Sequence, residues 1–342
     1  MIQLPLDDSS VVIAAYLGLG YTQYNMAEYL KALDVLEGIY NTFPTDERCA
    51  IPVLFYAGMC YYNLEYYAQA IESWEKLVST YPASEKSAEA GFRAGDTYFK
   101  ALEYKKARAL FRWVVENHPV NEYARSAQLA LGQSYYNEQS FDDAIREFLK
   151  FLDLFPTSTE APSARKSMEM CYYRKGIDNT EEMRLFVEKF PHSELAADGQ
   201  YQIAHKYFDE KNYEMAFDEF LKVVVNFPNS SYAPDALLLA AESVVNLENW
   251  EQASELYKRY LAYFPKGKQR DGVYFNLGTV YYNLKEYREA FTNFRAVLDS
   301  FPDSPYIENA GHNLEICKKL LGEEGSTPAL EPIKADSLKS EK

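Results

Sequence analysis

The sequence contains few of the residues that build disulfides, metal centres and nucleophilic sites. Among 342 residues there are four cysteines and four histidines, and the cysteines show no C-x-x-C spacing. Cys49 and Cys60 stand 11 residues apart. On one helix they would lie roughly 16 Å apart, which is too far for a disulfide. We therefore expect four lone, buried thiols, no metal site and no cofactor.

Dense positive charge and long apolar runs are also missing from the sequence. The net charge is -16, and the densest basic stretch, residues 266–270, carries three positive charges. We expect no nucleic-acid partner, because such a chain repels a phosphate backbone. No run approaches the roughly 18 apolar residues of a membrane span, so we expect no membrane insertion. Asp7 and Asp8 precede the short apolar run from Val11 to Ala15, whereas a signal peptide carries positive charge there.

Sequence motifs of catalysis are absent as well. There is no G-x-S-x-G, H-E-x-x-H or Walker sequence, and we predict that the chain is not an enzyme. An upstream catalytic domain stays open as an alternative. Leu4-Pro5 followed by Asp7 has the form of a repeat ending, so we suspect a longer parent protein with any targeting signal further upstream.

Aromatic residues, in contrast, are abundant and recur before proline, with 30 Tyr and 20 Phe in the chain. Eight prolines follow Phe, Tyr or His at intervals of 38, 37, 37, 35, 37, 37 and 37 residues, a period typical of a helical repeat array. Two residues after each proline stands a residue that caps helix N-termini, so each proline should end one helix and each cap should begin another. The prolines are Pro44, Pro82, Pro119, Pro156, Pro191, Pro228, Pro265 and Pro302, and the caps are Asp46, Ser84, Asn121, Ser158, Ser193, Ser230, Gly267 and Ser304.

Within each period, small and large side chains stand at fixed distances before the proline. Gly or Ala stands 24 residues before it, and Ala stands 12 before it, in seven of the eight copies. Small residues are expected where two helices touch. A large apolar residue stands 8 before the proline and an aromatic ring 15 before it in the same copies. The pattern predicts a helical hairpin in each copy, with the small residues at the contact and the large one beside it.

These offsets resemble the signature of the tetratricopeptide repeat (TPR) over about residues 10–321. The resemblance implies an all-α fold, a right-handed TPR superhelix (α-solenoid) of about eight helical hairpins plus a C-terminal capping helix. Two features depart from the family: three extra residues follow each proline, and the family's Trp position, 28 before proline, holds residues such as Gln128 and Gln200. The longer repeat with aromatic-Pro-x-Ser endings is similar to TPR proteins of the bacterial envelope, such as the outer-membrane barrel assembly lipoprotein or the Tol-Pal coordinator.

Repeat five departs from the other copies. It is two residues short, Asn179 replaces the Ala and Glu169 replaces the Gly. Asn179 and Glu182 form a capping-box pattern, so its second helix should begin near Thr180, about one turn late. We therefore predict repeats one to four in residues 1–162, an irregular fifth repeat and hinge in 163–193, and repeats six to eight in 194–304. A capping helix in 305–321 and a disordered tail in 322–342 complete the predicted chain.

In peptide-binding TPR proteins the first helices line an inner groove, and the resemblance carries that role to positions 27, 23, 20 and 19 before each proline. Rings at these positions either anchor a partner or fill the junctions between repeats, and both interpretations stay open. Acidic side chains outnumber basic ones there, and the Lys, Arg and Asn set that grips a C-terminal carboxylate is absent. The predicted groove residues are Tyr24, Phe55, Tyr62, Phe92, Phe99, Tyr136, Tyr173, Tyr201, Phe208, Phe275, Tyr282, Asp96 and Glu242.

Asparagines recur 19 residues before five of the prolines. They suggest a ladder for peptide backbones, but we favour C-capping, because Asn tolerates the left-handed conformation at the end of a helix. The residues are Asn25, Asn63, Asn137, Asn246 and Asn283.

The sequence thus predicts a non-enzymatic scaffold that holds a protein or peptide partner in its concave groove, with a role in bacterial envelope assembly. We expect the partner segment to be apolar or basic. The alternatives are a structural module that forms a homo-oligomer, and the TPR part of a longer protein. The resemblance favours the periplasm or cell envelope as the compartment, with the cytoplasm as the alternative.

Overall fold

The structure, a computed structural model, describes residues 8–322, which form seventeen α-helices and no strand. The chain divides into two compact units between Cys171 and Tyr172, inside α9. From α1 to α8 and from α10 to α17, each helix packs against the next, which confirms the predicted all-α solenoid of hairpins. The helices are α1 Asp8–Asn25, α2 Tyr29–Thr42, α3 Glu47–Asn63, α4 Tyr67–Thr80, α5 Glu85–Lys100, α6 Tyr104–Asn117, α7 Glu122–Asn137, α8 Phe141–Leu154, α9 Ala161–Gly176, α10 Thr180–Lys189, α11 Ala196–Asp209, α12 Tyr213–Asn226, α13 Ala233–Asn246, α14 Trp250–Tyr263, α15 Arg270–Asn283, α16 Tyr287–Ser300 and α17 Ile307–Leu320.

The small residues join the two helices of each hairpin as the sequence predicts. The seven alanines that stand 12 before proline are fully buried. A Cβ atom placed on Gly95 would lie 2.7 Å from Phe111 Cε1, and one on Gly132 would lie 2.5 Å from Phe148 Cε1. The large residue eight before proline therefore covers the glycine of its own hairpin, and no room is left there for a side chain.

The N-terminal caps follow the prediction in three copies and depart from it in five. Asp46, Ser84 and Asn121 accept a hydrogen bond from the backbone N–H two residues on, and α3, α5 and α7 begin immediately after them. Helices α9, α11, α13, α15 and α17 begin three residues after the cap, two residues later than predicted, because a turn follows the cap. Ser193 and Ser304 still accept from the N–H two residues on, at 3.3 and 3.2 Å, and so they cap this turn rather than the helix.

The turn between the two helices of a hairpin has one geometry in the seven regular hairpins, and repeat five does not share it. In the second hairpin, the Glu65 N–H donates to Tyr62 O at 3.0 Å and the Tyr66 N–H donates to Tyr61 O at 2.8 Å, the two bonds of a Schellman motif. The residue between the helices has a left-handed backbone, with φ of 64° at Glu65. The equivalent residues in the described chain are Ala27, Leu102, Gln139, Lys211, Glu248 and Lys285.

The recurring asparagines therefore do not adopt the left-handed conformation that we predicted for them. Each is the last residue of its helix, and the left-handed residue stands two positions later. Asn63, Asn246 and Asn283 instead donate their side-chain amides to the backbone carbonyl four residues earlier, at 2.8, 2.8 and 3.0 Å. In an α-helix this carbonyl already accepts from the asparagine's own backbone N–H, so the amide adds a second hydrogen bond to it.

Repeat five starts its second helix where the sequence predicts. Helix α10 begins at Thr180, and Asn179 Oδ1 accepts from the N–H groups of Glu181 and Glu182 at 3.0 and 3.2 Å. The carboxylate of Glu182 pairs with Lys175 at 3.0 Å, and the Asn half of the predicted capping box is present. A Cβ on Gly176 would lie 2.6 Å from the backbone Cα of Met183, so the close approach of this hairpin occurs at the end of α9.

A tyrosine hydroxyl joins neighbouring hairpins at several junctions. The tyrosine stands 21 before the proline of one repeat, and its partner stands 7 before the proline of the preceding repeat. Tyr61 donates to Glu37 at 2.6 Å, Tyr135 accepts from Arg112 at 3.3 Å, and Tyr207 accepts from Arg184 at 3.3 Å. These bonds connect the second helix of one hairpin to the first helix of the next.

The position where the family has Trp carries a buried amide in two repeats. The Gln128 side-chain amide donates to the Glu147 carboxylate at 2.9 Å, and Gln200 donates to Glu219 at 2.7 Å. Burial alone would raise the pKa of Glu219, but hydrogen bonds led by that from Arg184 outweigh it and lower the pKa. These pairs tie the first helix of a hairpin to the second without a tryptophan ring.

The predicted capping helix is α17, Ile307–Leu320, which buries Ala310, Leu314 and Cys317. The predicted hinge in residues 163–193 stays a prediction. The expectations for the tail lie outside the described residues except for Gly322, and those for residues 1–7 lie wholly outside them.

Candidate functional site

A groove follows the first helices α5, α7 and the start of α9 in the first unit. It consists of two cavities of about 210 and 360 Å3, and both are lined by Phe99 and Gln133. Cavities of this size take a few side chains rather than a folded domain. The other lining residues are Phe92, Asp96, Arg125, Ser126, Leu129, Ala130 and Glu160 in the smaller cavity, and Tyr136, Asn137, Phe148, Lys166, Ser167 and Met170 in the larger one.

Four predicted groove residues meet here, and the helical repeat explains why. Phe92 and Phe99 stand seven residues apart, two turns along one face of α5. Tyr136 occupies in α7 the position that Phe99 occupies in α5. Asp96 stands between the two α5 rings, so the stacking of α5 and α7 brings all four side chains to one surface.

The rings of the groove are held by other rings. Phe92 packs against Phe111 and Tyr123, each with 5.7 Å between ring centroids, and thus fills the junction between two hairpins. Phe99 meets Tyr104 at 5.4 Å in a T-shaped pair, and Tyr136 lies 5.8 Å from Phe141. The groove rings are only part-buried, so each is fixed on one side and open on the other.

The aromatic pair across the turn recurs in six hairpins. The ring 20 before proline packs against the ring 15 before it, with centroids 5.4 to 5.8 Å apart. These rings therefore stabilise the hairpin turn as well as bordering the groove. The pairs are Tyr24–Tyr29, Tyr62–Tyr67, Phe99–Tyr104, Tyr136–Phe141, Phe208–Tyr213 and Tyr282–Tyr287.

Charges in the groove of the first unit cancel in pairs. Asp96 binds Lys100 at 2.8 Å, and Lys100 also donates to the Tyr62 hydroxyl at 3.0 Å. Arg125 binds Glu160 at 3.1 Å. The acidic groove expected from the sequence is therefore not found in this part of the chain, because cations of neighbouring residues neutralise the carboxylates.

The second unit gathers tyrosines around an aspartate. Tyr173 donates to Asp198 in a short hydrogen bond, and the Gln202 amide donates to the same carboxylate at 2.6 Å. Burial, followed by the Asp198 carboxylate, raises the pKa of Tyr173 to about 12. Asp198 also raises the pKa of Tyr232, whose ring lies 5.1 Å from that of Tyr201. No cation pairs with Asp198 within residues 8–322.

Three predicted groove residues are core residues. Phe55, Phe275 and Tyr282 are 3%, 1% and 6% exposed, so they offer no ring to a partner. Phe275 stacks on Tyr306 at 5.1 Å and packs on Phe294 at 5.7 Å, which fills the junction between hairpins. All three rings are therefore buried in the core, and the contacts of Phe275 agree with the interpretation that such rings fill junctions between hairpins.

The remaining predicted residues keep part-exposed side chains but are not brought into the cavities of the groove. Tyr24 borders the first hairpin turn, and burial raises its pKa. Phe208 packs against Tyr213 at 5.5 Å. Glu242 is half-buried on α13.

Four further residues line the groove that were not predicted from the sequence: Gln133, Arg125, Lys166 and Met170. Gln133 stands 23 before its proline, the position of Asp96 and Glu242, so the repeat register contained the signal. Only aromatic and acidic residues were predicted at these positions, and Gln133 carries a neutral amide. Lys166 and Met170 belong to the irregular repeat, and in the register that puts Glu169 at the Gly position they stand where the other copies have the residues 27 and 23 before proline.

The four cysteines are buried and unpaired, as expected. Burial raises the pKa of Cys60 and Cys171 to about 12, so both stay thiols at neutral pH. Between residues 8 and 322 no group of three metal-binding side chains comes together. Over the same residues, none of the helices combines the length and apolarity that crossing a membrane requires.

Comparisons with known proteins agree with the repeat architecture. The profile of the outer membrane lipoprotein family (YfiO) matches residues 84–238 and 194–326, and a tetratricopeptide repeat profile matches residues 53–84. No curated protein matches the chain.

Similar solved structures include a MamA protein, which is 21% identical, with 52% of this chain and 92% of that chain covered at a TM-score of 0.41. A tetratricopeptide repeat protein from Parabacteroides merdae is 13% identical, with 89% and 98% covered at a TM-score of 0.41. MamA from Desulfovibrio magneticus is 16% identical, with 66% and 98% covered at a TM-score of 0.36. Since the outer membrane lipoprotein profile spans more than half of the sequence, the chain belongs to that family of tetratricopeptide-repeat proteins.

Proposed function

We propose that this protein is a non-enzymatic scaffold that holds a segment of a partner protein in the groove of α5, α7 and the start of α9. One observation carries the proposal. Two adjoining cavities present Phe92, Phe99, Leu129, Tyr136 and Met170 on one surface. Rings that are fixed by neighbours and part-exposed lose little freedom on binding, so they suit the anchoring of a partner.

The partner segment that fits this groove is mainly apolar. The nearby charges are already paired as Asp96–Lys100 and Arg125–Glu160, so a charged partner would have to displace an existing ion pair. Basic residues of the partner suit the second unit better, because Asp198 is held by neutral donors only. An apolar partner segment therefore suits the groove of the first unit, and basic partner residues suit Asp198 in the second unit.

We place this scaffold in the assembly of the bacterial cell envelope, because the family to which the chain belongs is one of outer membrane lipoproteins. Expression of the complete native gene followed by cell fractionation tests the compartment. We expect the protein in the envelope or periplasmic fraction. Recovery in the cytosol alone would contradict this part of the proposal and leave the groove hypothesis standing.

Selection from a peptide-display library tests the groove. Gln133 is exposed and lines both cavities, so Gln133→Trp should fill the groove without disturbing the core. Asp153→Trp, on an exposed position of α8, is the matched control. We expect the wild type and the control to select peptides rich in large apolar residues, and we expect the filled variant to lose them.

Titration of one selected peptide then measures its Kd for the wild type and for each variant. Phe99→Ala should weaken it about tenfold or more, the usual cost of removing an aromatic anchor. An unchanged Kd with Gln133→Trp would refute the groove as the binding site. Light scattering of the unliganded protein tests the self-association alternative, since a stable oligomer whose interface covers Phe99 would replace the partner by a second copy.

A further inference from the structure

A second and larger cavity lies in the first unit, and none of its lining residues belongs to the groove. This cleft, of about 700 Å3, is bordered by α4 and by the turn from α5 to α6. Its walls are formed by Tyr62, Tyr67, Ala68, Ile71, Glu72, Glu75, Thr97, Tyr98, Lys100, Ala101, Glu103 and Lys106. Its volume falls within the range of small-molecule and peptide sites.

The cleft exists because two exposed positions of the repeat carry small residues here. Ala68 stands 14 before Pro82, where the other regular copies have Leu, Lys, Asp, Glu, Glu and Arg. Ala101 stands 18 before Pro119, where the other copies have Met, Leu, Glu, Glu, Leu and Leu. Both alanines are exposed and line the cleft, so the cleft is a departure from the repeat and is not required by its packing.

The apolar part of the cleft is aromatic. Tyr62 and Tyr67 form a T-shaped pair at 5.4 Å, and Tyr67 is 47% exposed. Tyr98, Ile71 and Thr97 also line the cleft. Ring faces of this kind attract flat apolar groups and cations.

The charged part of the cleft is negative overall. Three carboxylates and two ammonium groups line it, and both ammonium groups are already paired. Lys106 binds Glu103 at 2.5 Å, and Lys100 binds Asp96 at 2.8 Å. Burial is the main cause that raises the pKa of the Tyr98 hydroxyl, and the negative charge of the Glu75 carboxylate raises it further.

Glu72 completes the negative wall. It is exposed on α4 and forms no ion pair within the described part of the chain. Lys100 and Lys106 already lie over the Tyr62 and Tyr98 rings, at 5.5 and 5.0 Å. A cationic group that enters the cleft therefore meets the Glu72 and Glu75 carboxylates, which it reaches without breaking an existing ion pair.

We propose that this cleft is a second binding site, which takes an aromatic side chain with an adjacent cation from a partner peptide. The aromatic group enters beside the tyrosine rings and Ala101, and the cation lies against Glu72 and Glu75. An anion at the same place would face both carboxylates. The proposal stands apart from the groove, because the two sites share no lining residue.

Tryptamine is the probe that combines the required groups, since it carries an indole and a primary ammonium. Indole-3-propionate has the same ring with a carboxylate, and butylamine has the cation without a ring. Titration of the isotope-labelled protein followed by NMR should show saturable shifts of the Ile71, Thr97 and Ala101 amides with tryptamine. We expect weaker shifts with butylamine and the weakest with indole-3-propionate.

Two variants, each with a matched control, localise the binding. Glu72→Gln should weaken tryptamine about threefold, as loss of one exposed charge pair does, whereas Asp153→Asn on α8 should leave it unchanged. Ala68→Phe should fill the cleft and abolish the shifts, and Lys105→Phe, at the equivalent position of the next hairpin, should not. Circular dichroism verifies that all four variants are folded.

The groove variant Gln133→Trp separates the two sites. Gln133→Trp should leave tryptamine binding unchanged, because the groove and the cleft share no lining residue. The cleft proposal can therefore hold even if the groove proposal fails. Equal or stronger binding of indole-3-propionate, or retention of tryptamine by Ala68→Phe, would overturn the proposal.

Discussion

Replacing Gly58 with Ala tests the close contact on which the hairpin depends. A Cβ atom at residue 58 would lie 2.6 Å from Trp74 Cδ1, in a place where the ring is 1% exposed. Overpacking of this kind costs about 1–3 kcal/mol. The ring also donates to Phe55 O at 3.2 Å, and loss of a buried hydrogen bond adds about 1–3 kcal/mol. The higher helix propensity of Ala returns about 1 kcal/mol, so we expect Gly58→Ala to lower the free energy of unfolding by about 1–5 kcal/mol.

Urea unfolding followed by circular dichroism measures this loss. Gly18→Ala is the matched control, because a Cβ on Gly18 meets nothing within 4 Å. The control should gain about 0.5–1 kcal/mol from helix propensity. Trp74→Leu in the Gly58→Ala background should couple favourably with the first change, since the smaller side chain leaves room for the methyl group. If Gly58→Ala unfolds within 0.5 kcal/mol of the wild type, the ring does not depend on the missing side chain and our account of the hairpin contact is wrong.

Further expectations concern the turn, the fifth repeat and a junction. Leu102→Gly should stabilise the protein by about 1 kcal/mol, because Leu102 has a φ of 63° and Gly adopts that conformation without steric cost; a loss of stability in urea would contradict this. Asn179→Ala should lower the free energy of unfolding by about 1 kcal/mol, because the N-terminal cap of α10 is lost. If repeat five divides the array, urea unfolding of the wild type should show two separable transitions by tryptophan fluorescence and circular dichroism. One coincident transition would refute the division. Burial, with the Glu37 carboxylate, raises the pKa of Tyr61 to about 12. The protonated Tyr61 hydroxyl therefore contributes its full stabilisation below about pH 10, and this stabilisation is lost as the pH rises to about 12. Tyr61→Phe should remove one late-titrating tyrosine from the absorbance titration, and an unchanged titration would argue against the hydrogen bond to Glu37.

The hairpins and their contacts could be predicted from the sequence because they depend on residues within one period. Alanine and glycine at fixed distances from proline mark the helix contact, and their large neighbour covers it. The start of α10 at Thr180 followed from a single cap, Asn179, which acts on the adjacent backbone. Contacts of this kind recur in the seven regular copies, so seven copies reinforce one interpretation.

The turn conformation and the accessibility of the rings could not be predicted in the same way. The left-handed residue is Ala, Glu, Leu, Gln or Lys in different turns, so residue type carries no signal, and the Schellman hydrogen bonds fix the backbone instead. Phe92 and Phe275 stand at the same position of the repeat, yet Phe92 borders an open groove and Phe275 is 1% exposed. The difference comes from the neighbouring hairpin, which the period of a single copy does not describe.

A repeat array gains specific binding where its copies differ, because what all copies share is already committed to the core. Phe99 and Phe208 occupy one register position, but only Phe99 lies beside Gln133, Lys166 and Met170 in a described cavity. The charged cleft appears between hairpins where Ala68 and Ala101 replace larger residues. Both proposed sites therefore sit in the first unit at places where the period is kept in the buried residues and broken on the surface. It follows that exchanging surface residues between copies should move binding while the fold stays intact, and that exchanging buried ones should disrupt the fold wherever it is done.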